Sequence, residues 1–184
     1  MKRNTVATLA VIVLILSFFV TPLGDLGKSW LMRLFAVTPD IITLDDQEQL
    51  AHYDWRLRDA DGEFFNFEKS KGKVVLVDFW ATWHTPSAAE LRDIQKLYVQ
   101  YKDKIDFYIV TNEETYPVAE FMENKEYSFP VTFRIVGEPS PLKIPEPSGA
   151  YLIDKKGNIV IKSEEIKDWY NEKTIQLLDS LILN

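Results

Sequence analysis

Three side chains near the middle of the chain have the types and spacing that could support catalysis. Asp78 lies a few residues before His84, and Ser87 follows three residues after it. A histidine that activates a serine hydroxyl, with an aspartate orienting the imidazole, is the arrangement used by many hydrolases. The Gly-x-Ser-x-Gly sequence of a nucleophile elbow is absent here. The competing interpretation makes His84 a surface residue at a helix start and Ser87 a small filler, with no catalytic residue.

The flanking sequence predicts a strand-to-helix turn at these residues. Residues 73–80 form a nearly continuous apolar run, which indicates a strand covered on both faces. Pro86 suits the first turn of a helix, and apolar residues then recur at helical spacing. The positive end of a helix dipole disfavours the charged form of His84. His84 and Ser87 can then face each other on one helical turn.

The remaining elements follow from period-two and period-3.6 patterns. Asp61-Gly62 predicts a hairpin turn, and Lys155-Lys-Gly-Asn158 predicts a second one. The predicted order is a β-hairpin, a βαβ unit, a helix, a β-hairpin and a final helix. The predicted strands are 53–58, 63–67, 73–80, 105–110, an edge-like 129–133, 150–154 and 158–162, and the helices after the first are 114–126 and 168–183.

Composition limits the classes of function. The 184 residues are 46% hydrophobic and 27% charged, which is typical of a globular protein. A net charge of −7 repels phosphate backbones, so nucleic acid is excluded as an expected partner. With no cysteine the chain has no disulfide, thiolate metal site or thiol nucleophile. With only two histidines as well, we expect no metal and no cofactor.

The N-terminal region predicts a membrane anchor. Residues 1–4 carry positive charge and residues 5–21 form an uncharged apolar run at the short end of what spans a bilayer. The run ends without the small residues of a signal-peptidase site, which favours an uncleaved anchor. We expect a cytoplasmic N-terminus, a juxtamembrane connector at 22–48 and a soluble domain at 49–184. In a bacterium, that domain would lie on the periplasmic or outer side of the cytoplasmic membrane.

The run Val74-Val-Leu-Val-Asp-Phe-Trp-Ala-Thr-Trp83 resembles the membrane-anchored thiol-disulfide oxidoreductases of the TlpA/ResA type. Leu152–Val160 resembles the second hairpin of that family, and the similarity extends over residues 50–184. The resemblance implies an α/β, thioredoxin-like fold. In such a fold a central mixed sheet is flanked by helices, here with an added N-terminal β-hairpin and an N-terminal transmembrane helix.

The departures from this family lie at its chemical site. In the family, Trp is followed by Cys-x-Pro-Cys, and here His84 and Ser87 stand at the two cysteine positions. The family's cis-proline aligns with Ser148, with Pro147 one residue early. Asp78 matches a buried acid that assists proton transfer in thioredoxins. The resemblance implies a binding groove made of Trp83, His84, Thr85, Pro86, Pro147 and Ser148.

The expected function is therefore that of a redox-inactive relative of these oxidoreductases. It would bind a protein or an extended peptide at the former active-site groove, and the bilayer through residues 5–21. Two alternatives stay open: a non-thiol, hydrolase-type enzyme using His84, Ser87 and Asp78, and a structural subunit of a cell-envelope complex.

Overall fold

The computed structural model describes residues 6–9, 11–13, 37–146 and 148–183. Residues 6–9 and 11–13 are helical. Within the described residues, no helix is both long and apolar enough to cross a bilayer. Most of the predicted anchor, and the predicted connector as far as residue 36, lie outside those residues.

A compact unit spans Val37–Asn184 and contains seven strands and three longer helices. The helices are α1 (Thr85–Tyr101), α2 (Thr115–Lys125) and α3 (Glu172–Leu183). The strands are β1 (Arg56–Arg58), β2 (Phe64–Asn66), β3 (Val75–Phe79), β4 (Asp106–Thr111), β5 (Val131–Arg134), β6 (Gly149–Ile153) and β7 (Ile159–Ser163). The α/β class, the two hairpins and the order of elements are as predicted.

The seven strands form one mixed sheet in the order β2-β1-β5-β4-β3-β6-β7. β3, β4 and β5 are parallel, while β1, β2, β6 and β7 join through antiparallel pairs. The prediction that 129–133 forms an edge-like strand was wrong, because β5 lies between β1 and β4. A short strand beside a proline is typical of an edge, and its pairing with β1 depends on residues far away in sequence.

β3 sends alternate side chains into two different cores. Leu76 belongs to a cluster that also contains residues of all three helices. Val75, Val77 and Phe79 point to the opposite face, into a cluster that contains no residue of α1, α2 or α3. We call these the helix-side core and the aromatic core. The second contains Trp55, Phe67, Phe79, Tyr108 and Tyr151.

The segment before the predicted domain start packs as part of the compact unit. Val37 bridges to Lys167, and Ile41 bridges to Ile161 on β7. Leu44–Asp46 form one turn of 3₁₀ helix within the predicted connector. The compact unit thus begins before residue 49. Local sequence patterns could not indicate this start, because the backbone pairings that define it join residues that are distant in the sequence.

Gly149 begins β6 at a point where the chain has no room for a side chain. A Cβ there would lie 2.5 Å from the carbonyl oxygen of Ser163 and 2.7 Å from Cγ of Pro145. We expect Gly149→Ala to lower the free energy of unfolding by about 3 kcal/mol, because the backbone must shift to relieve the overlap. Urea denaturation of the full chain measures this loss.

Gly62→Ala is the control for the loss of a glycine without overlap. Gly62 has a φ of +92°, and a Cβ added there would have nothing within 4 Å, so only the strain of the left-handed backbone applies. That strain costs about 1–2 kcal/mol. Equal losses in the two variants would contradict the steric argument at Gly149.

Candidate functional site

The candidate site is the turn where the chain leaves the sheet and enters α1. β3 ends at Phe79, and α1 begins at Thr85 with His84 as its N-cap and Pro86 in its first turn. Nδ1 of His84 accepts a hydrogen bond from the backbone N–H of Ser87 at 3.4 Å. Partial burial lowers the pKa of His84 below its usual 6.5. The imidazole therefore serves as a neutral cap for the helix.

Ser87 is brought to His84 as predicted, but it is closed off from solvent. Its Oγ lies 3.1 Å from His84 Nδ1, and the side chain is only 1% exposed. The same Oγ accepts a hydrogen bond from the backbone N–H of Ala81 at 3.3 Å and donates to the carbonyl oxygen of His84 at 3.1 Å. A hydroxyl held in this way ties the turn to the helix, and no substrate atom can approach it in this conformation.

Asp78 is not joined to His84 and Ser87. It is fully buried, and neither carboxyl oxygen has a hydrogen-bond partner among the described residues. Burial, and then the negative charge of Glu90, raise the pKa of Asp78 well above its usual value. The raised pKa favours the protonated form of the acid, which avoids the cost of an unpaired buried charge. Asp78 therefore does not complete a hydrolase triad with His84 and Ser87 in this structure.

Glu90 on α1 is a second buried acid, and the sequence patterns did not single it out as a site residue. Its Oε1 accepts hydrogen bonds from the backbone N–H of Lys167 and from Nε1 of Trp169. Burial raises the pKa of Glu90 to about 7, although those two hydrogen bonds oppose the rise. The available signal was an acid beside Leu91, on the face of α1 that the apolar spacing marks as buried.

Glu113 fixes the other side of the turn. Its carboxylate accepts hydrogen bonds from the backbone N–H of Thr82 at 2.6 Å and from the Thr82 hydroxyl at 2.7 Å. Because Glu113 follows β4, these bonds tie the turn to the neighbouring parallel strand. No sequence pattern predicted this role, since the contact depends on the pairing of β3 with β4.

The predicted groove residues differ in exposure. Trp83 is 68% exposed, and its ring meets the His84 ring edge-on at a centroid distance of 5.7 Å. Thr85 and Pro86 are half-buried, and Ser148 is buried just before β6, beside the end of β3. Pro147 lies outside the described residues, and so does the peptide bond that precedes it. The assignment of these residues to a binding groove stays a prediction.

A cavity of about 420 Å³ adjoins this turn. Of the predicted groove residues that the structure describes, only Trp83 lines it. Its other lining residues are Phe79, Trp80, Ala81, Val110, Thr111, Asn112, Arg134, Ile144, Pro145 and Glu146. No sequence pattern predicted this cavity, because its walls come from four separate parts of the chain. In the described part of the chain, no group of three or more acidic or histidine side chains could hold a metal ion.

Comparison with known sequences connects the chain to thiol-disulfide oxidoreductases. The AhpC/TSA family matches residues 49–162. The thiol-disulfide oxidoreductase ResA of Bacillus cereus is 29% identical over 181 residues, which cover 94% of this chain and 96% of that protein. ResA of Bacillus thuringiensis subsp. konkukian is 32% identical over 120 residues, which cover 62% of this chain and 69% of that protein.

Solved structures show the same fold. A DsbF homologue from Corynebacterium diphtheriae superimposes with a TM-score of 0.62 at 14% identity, covering 78% of this chain and 93% of its own. A secreted thiol-disulfide isomerase from Corynebacterium glutamicum gives a TM-score of 0.59 at 15% identity, covering 79% and 90%. At such low identity, these likenesses establish the thioredoxin-like fold alone.

The chain therefore belongs to the AhpC/TSA family, and over most of its length it is a homologue of the ResA thiol-disulfide oxidoreductases. The family membership predicted from residues 74–83 is confirmed. Unlike an enzyme that exchanges disulfides through its own thiols, this chain contains no cysteine.

We expect Asp78→Asn to stabilise the protein at neutral pH and to flatten the dependence of its stability on pH. Because the folded-state pKa of Asp78 is raised, the native state keeps a proton that the unfolded chain releases. The free energy of unfolding of the parent therefore falls as pH rises above about 4, by up to about 1.4 kcal/mol per pH unit for this proton. An amide cannot ionise and lacks this penalty. Urea denaturation from about pH 5 to pH 8 measures both slopes.

The control is Asp103→Asn, which removes one exposed carboxylate just after α1 and leaves the buried acids Asp78 and Glu90 in place. Glu90, with its own raised pKa, is present in all three proteins. Identical slopes for the parent and Asp78→Asn would show that Asp78 does not hold a proton in the native state.

Proposed function

We propose that this chain is a redox-inactive ResA-like protein that binds an extended segment of another protein beside the start of α1. The observation that carries the proposal is the contrast between two neighbouring side chains. Ser87, at the position of a reactive thiol, is 1% exposed, whereas Trp83 is 68% exposed and lines a preformed cavity. An exposed tryptophan over a cavity is a feature of protein-binding sites, because aromatic anchors supply much of the binding energy.

The lack of redox activity follows from the chemistry of exchange. A mixed disulfide requires a thiolate that attacks a disulfide sulfur and a second thiol that resolves the product. An imidazole and a hydroxyl occupy these two positions here. Relatives named as thiol-disulfide oxidoreductases are similar in sequence over much of the chain, and one fold can support different functions when the residues of its site differ.

The proposal also includes the location of the domain. Residues 5–21 would anchor the chain in the cytoplasmic membrane, with the domain on the periplasmic or outer side. The support is the uncharged apolar run after Lys2 and Arg3, which suits a cytoplasmic N-terminus. Held at the membrane surface in this way, the domain would meet partners in or beside the bilayer.

We expect the purified full chain to reduce no insulin disulfides with dithiothreitol as the electron source, beyond the rate of dithiothreitol alone. The double change His84→Cys with Ser87→Cys should raise the rate at least several-fold, because the backbone of the turn still suits the motif. Either single change supplies only one thiol and is the matched control. Turnover by the parent that His84→Ala abolishes would overturn the redox-inactive assignment.

We expect a photoreactive benzoylphenylalanine in place of Trp83 to capture a partner in cells, in the full chain. The same residue in place of Val99, which is 63% exposed on the outer face of α1, is the matched control. Mass spectrometry of the adduct should map the contact to one extended segment of the partner. Capture from position 99 but not from position 83 would instead support a structural subunit that docks through its helices.

A further inference from the structure

The cavity beside Trp83 lies where the parallel strands of the sheet end. Phe79 and Arg134 are the last residues of β3 and β5, and Thr111 is the last residue of β4. All three line the cavity. In open α/β sheets, ligands bind in crevices outside the carboxyl ends of the strands. The cavity thus has the position of a ligand site, although neither His84 nor Ser87 lines it.

The walls of the cavity are suited to an apolar side chain. Phe79 and Val110 belong to the aromatic core, on the face of the sheet away from α1. Trp83, Ile144 and Pro145 contribute further apolar walls. A volume of about 420 Å³ is within the range of pockets for small ligands. It can hold one large side chain of a bound segment together with part of its neighbour.

Arg134 is the cationic residue in the lining, and it lacks a partner within the described part of the chain. The two other arginines on adjoining β1 are engaged: Arg56 with Glu138 at 3.9 Å, and Arg58 over the ring of Phe133 at 4.8 Å. Arg134 is half-buried, and no ion pair or side-chain hydrogen bond from a described residue engages its guanidinium. A partly desolvated guanidinium without an anion forgoes its strongest interaction, the bidentate pair with a carboxylate.

We propose that this cavity is a specificity pocket for an apolar residue next to an Asp or Glu in the bound segment, with Arg134 binding the acidic side chain. This inference rests on the proposed function. The segment would pass over the turn at His84 and Ser148, so its side chains rather than its end would enter the cavity. The exposed amide of Asn112, on the same edge, can donate a second hydrogen bond to the carboxylate. Glu146, which also lines the cavity, disfavours a second negative charge.

The test uses the purified full chain and fluorescein-labelled octapeptides, amidated at the C-terminus in the first two pools, measured by fluorescence polarisation. One pool has a central Leu-Glu with the other positions randomised, and a second pool has Leu-Gln at the same positions. A third pool ends in leucine with a free carboxylate. Each pool is titrated against the parent, against Arg134→Gln and against Arg92→Gln. The last removes an exposed positive charge from α1, away from the cavity, and is the matched control.

We expect the parent and Arg92→Gln to bind the Leu-Glu pool about tenfold more tightly than the Leu-Gln pool. In Arg134→Gln that ratio should fall to about one, while the Leu-Gln pool binds as before. Equal binding of the two pools by the parent would overturn the inference and leave the proposed function standing. A preference for the free-carboxylate pool would assign the pocket to a chain end instead. If no pool binds, the proposed function fails together with the inference.

Discussion

The structure depends on the burial of β3 between two strands and between two cores. Its five residues are all buried, and β4 and β6 pair along its two edges. A slip of one residue would move Asp78 into the aromatic core and Phe79 under α1, because alternate side chains point to opposite faces. The register is therefore strongly determined. It sets the point where the chain leaves the sheet, and hence the positions of Trp83 and His84 and the start of α1.

The turn after β3 contains no thiol, and hydrogen bonds to polar side chains hold it in place. Where a thiol pair would react, the chain has an imidazole that caps the helix and a hydroxyl that bonds to Ala81. The His84 cap satisfies the backbone N–H of Ser87 in the first turn of α1, which would otherwise need another partner. Below the turn, Asp78 and Glu90 remain buried with raised pKa values, although no thiol is present to exchange a proton with them.

Local sequence patterns were sufficient to predict most of the fold. The apolar run of β3, the Asp61-Gly62 turn and the spacing along α1 each depend on neighbouring residues, and all three were found. The wrong position of β5 and the packing of residues 37–48 within the compact unit share a different cause. Arg134 pairs with Leu57, and Val37 bridges to Lys167, so both depend on contacts between distant parts of the chain. The same limit applies to the site. His84 and Ser87 could be placed together from their spacing, whereas the separation of Asp78 from them and the cavity at Arg134 required the assembled sheet.

The insertion of β5 between β1 and β4 has a consequence for the order in which the chain folds. The first hairpin lies far ahead of β5 in the chain, yet its inner strand has no place in the sheet until residues 131–134 are available and have paired with β4. Until then, Trp55 and Leu57 cannot be buried in the aromatic core. Pairings between distant segments form slowly and leave strand edges exposed in the meantime. The hairpin therefore stays outside the sheet, with aromatic side chains accessible, until the residues between Asn66 and Val131 have been added and β5 has paired with β4.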